Sequence, residues 1–306
     1  MANISVVICT HNPRMDYLIQ VLDGLKRQTL PAGQWELLLI DNASEQPLDG
    51  CISLSWHRLA RIVREDKLGL TAARLRGIRE TSADVIVFVD DDNVLDANYL
   101  EKALGISEAW PILGAWGGQT LPCFEVDPPE WIKQFWGHLA LRELDRDLWS
   151  NQRNGENAPI GAGLVVRRQV AQTYSVNVGL DERRQGLDRK GGDLISGGDT
   201  DLALTAVDIG LGTGLFTALK LTHLISADRL SEKHLLNLQE RLSYSATLLN
   251  SIRGLEFSRP HRSFLTRVHE WGHQFRLDSR TRRFELAKRR GLAEAERVLG
   301  MNGKPD

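Results

Sequence analysis

Cysteine is scarce in this 306-residue chain: three residues, Cys9, Cys51 and Cys123, lie far apart and form no C-x-x-C. That count excludes a disulfide framework and a sulfur-ligated zinc site, and a reducing compartment is the expectation. Long apolar runs are missing too. No stretch approaches the ~20 residues that a membrane span requires. The opening MANISVVICTHNPR has no basic leading region, and its apolar run is too short for a signal peptide. A soluble, cytoplasmic protein is expected, with at most a peripheral contact on the inner membrane face. Internal repeats and low-complexity segments are also absent.

The formal net charge of -2 is close to neutral, but it is unevenly spread. Residues 1–227 carry 22 Lys and Arg against 30 Asp and Glu, whereas residues 228–306 carry 16 against 10. Within the tail, residues 253–290 hold 11 basic side chains against 4 acidic ones. A basic tail of this kind suits an anionic bilayer or a lipid phosphate, and equally a solvated or dimer-forming helical face.

Strand and helix signals alternate over the first hundred residues. Ile4–Cys9, Trp35–Ile40, Ala60–Val63 and Val85–Val89 read as buried strands. Between them, Leu18, Val21, Leu22 and Leu25 recur at helical spacing, and Leu70–Glu80 and Ala97–Leu104 are helical as well. The alternation predicts βαβ units, and so an α/β fold with a mostly parallel sheet flanked by helices. Right-handed crossovers bring the carboxyl ends of such strands to one edge, where ligands bind. Thr10–Asn12, Asp41–Asn42 and Asp90–Asp92 all follow buried strands and therefore share that edge. Beyond Leu113 the pattern loosens. A strand is expected near Ile160–Arg167, a mobile Gly- and charge-rich loop over Leu180–Gly198, a helix over Thr200–Ile209 and an extended segment over Leu215–Ile225. Helix dominates after Ala227.

The stretch VIVFVDDDN is the most informative. Five apolar residues run straight into Asp90, Asp91 and Asp92, whose like charges repel unless a cation offsets them. With no sulfur nearby, the fitting ions are hard and oxygen-ligated, Mg²⁺ or Mn²⁺, which are typically shared with substrate phosphates. The spacing of a calcium-binding EF-hand loop is not met.

Five segments in order resemble the family 2 glycosyltransferases: SVVICTHN, LLLIDNAS, KLGLTAARLRGI, VFVDDDN and SGGDTDLALTA, spread over roughly residues 3–225. The resemblance implies a GT-A fold and an inverting transfer of sugar from a nucleotide-sugar, with a UDP-sugar the expected donor, to a hydroxyl acceptor. It places the work in bacterial surface polysaccharide or glycoconjugate synthesis. It implies that Thr10 and Asn12 belong to the nucleotide loop, that Asp41 reads the base, and that Gly69 and Arg74 approach the nucleotide. Asp90 then holds the ribose side, Asp91 is a further donor-binding residue, and Asp92 and the late His223 hold Mn²⁺ or Mg²⁺. Asp199 is the expected general base, with Asp201 as its competitor. His223 also reads as a hydrogen-bonded core residue, and Asp199 and Asp201 each as a helix cap. Two positions depart from the family pattern: Gly198 stands where an acid commonly precedes the base, and Leu75 where an Asn follows the Arg.

The implied partners are a nucleotide-sugar donor and a saccharide or lipid-linked saccharide acceptor, with no nucleic acid. A homodimer through the tail is compatible with these. The expected division is a GT-A domain over 1–227, with its nucleotide-binding half at about 1–112 and its acceptor half at 113–227, followed by a basic helical region over 228–306. Trp131, Trp136 and Trp149 offer flat faces for an acceptor sugar or for helix packing. Two rivals remain: a nucleotide-sugar binder without turnover, and a metal-dependent phosphoryl-transfer enzyme. Against the second, the first strand ends in Cys9-Thr10-His11 rather than in acids.

Overall fold

Ile4–Thr10 (β1) is rich in β-branched side chains and is buried along almost its whole length, which makes it a central strand. It lies parallel to Trp35–Asn42 (β2) on one side and Val85–Asp90 (β4) on the other, and Ala60–Glu65 (β3) extends the sheet beyond β2. Side chains alternate between two cores. Val6 and Ile8 face Leu18, Val21, Leu22 and Leu25 of Met15–Lys26 (α1). Val7 joins Ala73 and Ile78 of Leu70–Glu80 (α2) on the opposite face. Each fully buried aliphatic side chain contributes about 1.5–3 kcal/mol by leaving water.

The structure, a computed structural model, describes residues 2–153, 155, 157–255 and 278–300. After β4 come Asn93–Leu95 (β5), Tyr99–Ala109 (α3), Leu113–Phe124 (β6), Leu148–Ser150 (β7) and Leu164–Arg167 (β8). Arg168–Leu180 (α4), Gly198–Asp208 (α5), Gly212–Ile225 (β9), Glu232–Ile252 (α6) and Ser279–Val298 (α7) follow. The sheet runs β3-β2-β1-β4-β8-β6-β9-β5, with β7 alongside β9. It is mixed and mostly parallel, as the alternation predicts; β8 runs antiparallel to both β4 and β6.

Strand β6 and helix α4 were not apparent from the residue pattern. Gly114, Gly117, Gly118 and Pro122 interrupt the β6 signature, and its pairing with β9 shifts register twice. These small residues are needed there: a Cβ on Gly118 would lie 2.5 Å from Leu219 Cβ. The Leu180–Gly198 segment also differs from expectation. Its centre is anchored, with Leu187 and Asp188 buried and the Arg189 carbonyl accepting the Leu70 N–H at 3.0 Å.

In the described part of the basic tail, α7 packs along α6 and spends much of its charge there. Arg283 pairs with Glu232 at 2.6 Å, Arg290 with Glu240 at 2.7 Å, and Glu294 with Arg241 of α6 at 2.8 Å. Residues 256–277 of the 253–290 basic stretch, with four of its basic side chains, lie outside the described residues. Trp131 lies beneath the Arg280 guanidinium, 4.3 Å from its ring centroid, and Trp136 packs near Phe124, so both serve packing; Trp149 is exposed on β7. Among the described residues no helix is long and apolar enough to cross a membrane.

Tyr99 donates its hydroxyl to the Gly163 carbonyl at 2.6 Å, which ties α3 to the start of β8. Gly163 has φ +69°, and a Cβ there would fall 2.5 Å from that hydroxyl. Gly163→Ala is therefore expected to cost about 2–4 kcal/mol through backbone strain and overpacking. A thermal unfolding midpoint unchanged by the substitution would contradict this packing.

Candidate active site

Strand register assembles the site. Thr10 pairs with Asp41 across β1–β2, and Cys9 pairs with Asp90 across β1–β4, so the polar residues reach a single edge together. A cavity of about 410 Å³ opens at that edge. It is lined by the ends of β1 and β4, the start of α2, the 187–197 segment, the start of α5, and Leu238 and Leu242 of α6. Thr10, Gly69, Arg74, Asp90, Asp91, Asp92, Asp199 and His223 all border it.

Asp91 accepts the Thr10 hydroxyl, yet burial and then the neighbouring Asp92 push its carboxyl up to about 7. Asp90 moves in the same direction for the same two reasons. Asp92 goes the other way: burial would raise it, but His223 and Arg229 outweigh that and hold it well below the usual carboxylate range. Its Oδ2 lies 3.2 Å from His223 Nε2 and 3.0 Å from Arg229 Nη1. The antiparallel pairing of Asn93 with His223 across β5–β9 brings the two together. Buried His223 Nδ1 has no partner among the described residues.

Asp92 and His223 present oxygen and nitrogen donors to one point, a set that suits a hard or borderline divalent ion, and Arg229 Nη1 lies there, 3.0 Å from each, so an ion would have to displace it. Among the described residues no group of three or more His, Cys, Asp or Glu could hold an ion unaided. An ion here would complete its shell from diphosphate and water, the usual habit of Mg²⁺.

Gly69 opens α2 at φ +138°, a conformation that favours glycine, and its N–H donates to Asn42 Oδ1 at 2.8 Å. One turn on, Arg74 is buried, with Nη1 2.9 Å from Asp188 Oδ2. Burial would lower the pKa of this guanidinium, but Asp188, Asp199 and Asp90 outweigh it and raise it well above the usual arginine value. Asp199, at the first turn of α5, accepts the Gly161 N–H at 2.7 Å through Oδ2 and the Thr200 N–H through Oδ1.

Three expected residues stand outside the cavity wall. Asp41 is turned into the protein: its carboxylate accepts the N–H groups of Ser44 and Leu48 and pairs with Arg64 at 2.9 Å, all of its capacity going to shaping the loop after β2. Asn12, at φ 48°, donates its N–H to Ser44 Oγ and accepts the Glu45 N–H, so it braces that loop instead of lining the site. Asp201 is fully buried and bonded to both Arg184 and Arg253 at 2.6 Å. With two guanidiniums on it and no solvent access it stands apart from the cavity, which Asp199 borders.

Several cavity residues were missed. Asp188 and Arg189 sit in a segment read as a mobile loop, and Arg229 in a tail read as generally basic. The Gly198 departure was the one available signal for Asp188.

The chain belongs to glycosyl transferase family 2, whose model matches residues 5–174. It is 33% identical over 99 residues to the uncharacterized glycosyltransferase YwdF of Bacillus subtilis, covering 32% of this chain and 36% of that protein. It is 26% identical over 104 residues to glycosyltransferase AglE of Haloferax volcanii, covering 33% and 34%. The chain thus spans about a third of the length of these relatives. Among solved structures, S. aureus TarS 1-349 superimposes with a TM-score of 0.53 at 11% identity, over 100% of this chain and 93% of that one. Its complex with UDP gives 0.52 at 12% identity, again over 100% and 93%. The likeness to TarS is one of fold.

Two substitutions separate the neighbouring acids of α5. Asp201→Ala takes from Arg184 its carboxylate and leaves Arg253 with Asp208 alone, and is expected to cost about 3–5 kcal/mol in denaturant unfolding. Asp199→Asn should cost less than about 1 kcal/mol. Equal losses would contradict the assignment of one acid to the scaffold and the other to the cavity. Cys9, whose thiol burial pushes up to about 12, is expected to resist iodoacetamide at pH 8 while exposed Cys51 and Cys123 react, as read by mass spectrometry.

Proposed function

We propose that this chain is an inverting glycosyltransferase that moves a sugar from a UDP-sugar to a hydroxyl acceptor in the synthesis of a bacterial surface polysaccharide or glycoconjugate. The observation that carries the reading is the cavity itself. Four distant segments bring to it an acidic strand tip, a buried Arg, a carboxylate at a helix start and a His. The preference for UDP is supported by the shared fold of TarS, solved with UDP and with UDP-GlcNAc.

The diphosphate lies at the ends of β1 and β4, bordered by Thr10, Gly69 and Arg229. Asp92 and His223 would hold Mn²⁺ or Mg²⁺, which when bound offsets charge on the departing diphosphate as a Lewis acid. Asp199 takes the proton from the acceptor hydroxyl as its oxygen attacks the anomeric carbon from the face opposite the diphosphate. One displacement inverts that carbon. The Gly161 N–H holds the Asp199 carboxylate in position, and Leu238 and Leu242 help to keep water from the acceptor side.

A screen of UDP-, GDP- and dTDP-sugars with Mn²⁺ tests the reading. Transfer or donor hydrolysis is expected with a UDP-sugar, and Asp199→Asn should reduce it about 10²–10⁴-fold while UDP still binds. Asp92→Ala should remove the metal dependence of UDP binding. UDP binding without turnover across the donors would make the protein a nucleotide-sugar binder. Unchanged metal-dependent affinity in Asp92→Ala would remove the ion from this site.

A further inference from the structure

Helix α5 starts at Gly198, directly before Asp199, where the family pattern commonly has an acid. The space beside Gly198 is already filled. A Cβ built there would fall 2.7 Å from Asp188 Oδ1 and closer still to the rest of that carboxylate. Asp188 comes from the neighbouring segment, held alongside by the Gly198 N–H donating to the Leu187 carbonyl at 3.1 Å. It is buried, accepts the Thr71 hydroxyl at 2.9 Å, and grips Arg74 Nη1 with both oxygens at 3.1 and 2.9 Å.

The other edge of Arg74 faces the base. An ideal Cβ on Gly161 would lie 3.0 Å from Arg74 Nη2 and 3.2 Å from Asp199 Oδ2, so the cation and Asp199 crowd the same glycine. No hydrogen bond joins the two. A buried guanidinium deprived of one carboxylate turns to the nearest remaining one, because an unpaired buried charge is strongly penalised.

We propose that Asp188 is a positioning residue for sugar transfer, delivering from the 187–197 segment the carboxylate that Gly198 lacks. By occupying Nη1 it keeps Arg74 from closing onto Asp199, and the base stays free for the acceptor. The role rests on Asp199 being the base. The shared space does not: positions 188 and 198 compete for one volume and one charge, so substitutions at the two must couple.

The test compares wild type, Asp188→Ala, Gly198→Glu and the double substitution, by thermal unfolding without ligand and by turnover of whichever UDP-sugar the wild type uses. Each single change is expected to lower the unfolding midpoint by about 5 °C or more, and the pair to recover at least half of that loss. Asp188→Ala should lower kcat by about 30-fold or more with KM within about threefold, and the pair should regain most of the rate. Losses in the double variant that equal the sum of the singles would overturn the proposal. Asp188→Asn, which keeps the volume and drops the charge, covers the case in which a single variant fails to fold. It should lose kcat while UDP with Mn²⁺ still binds, and a wild-type kcat would overturn the positioning role. If the wild type turned over no UDP-sugar, the transfer reading would fall, while the unfolding cycle would still decide whether 188 and 198 share their volume and charge.

Discussion

One buried guanidinium balances the site. Arg74 lies beneath the cavity with Asp188 in direct contact, and Asp90 and Asp199 act on it electrostatically. Those carboxylates come from the tip of β4, the 187–197 segment and the start of α5. Without a central cation their mutual repulsion in a low-dielectric pocket would favour either protonation or expulsion to solvent. Near His223, Arg229 pairs with Asp92, and together they hold that carboxyl well below the usual range. For Asp91, burial and the neighbouring Asp92 outweigh the Thr10 hydroxyl and Arg189, and its carboxyl rises to about 7.

The surrounding architecture serves this balance of charge. The parallel half of the sheet brings strand tips to one level, and the antiparallel β5–β9 pair turns His223 back towards them. Helix α6 adds apolar side chains to the cavity, and its far end is fastened by Arg253, which reaches both Asp201 and Asp208. Two acids separated by a single residue on α5 thus have different tasks: Asp201 anchors the helix, and Asp199 faces the space.

The parallel half of the fold was legible because its signals are local. Apolar runs of strand length, one amphipathic helix and an acidic run after a buried strand predicted the edge where Thr10, Asp90, Asp91 and Asp92 meet. What was illegible depends on pairing across long separations. Asp188 meets Arg74 across more than a hundred residues, and its neighbours are the glycines and charges of an ordinary surface loop. Arg229 looked like one basic residue among many. Strand β6 hid behind glycines that allow close approach to β9. Asp41 follows the motif by position, yet its carboxylate is consumed by Ser44, Leu48 and Arg64, contacts that nothing within the motif announces.

The proposed transfer depends on the acidic tip of β4 being a place where a divalent ion and a nucleoside diphosphate meet. The most direct measurement is anomalous diffraction from crystals grown with Mn²⁺ and UDP. The proposed transfer requires a manganese peak at Asp92 and His223 with the diphosphate against it and Arg229 turned towards the phosphates. A peak elsewhere, or UDP bound while Arg229 keeps its contacts with Asp92 and His223, would contradict it.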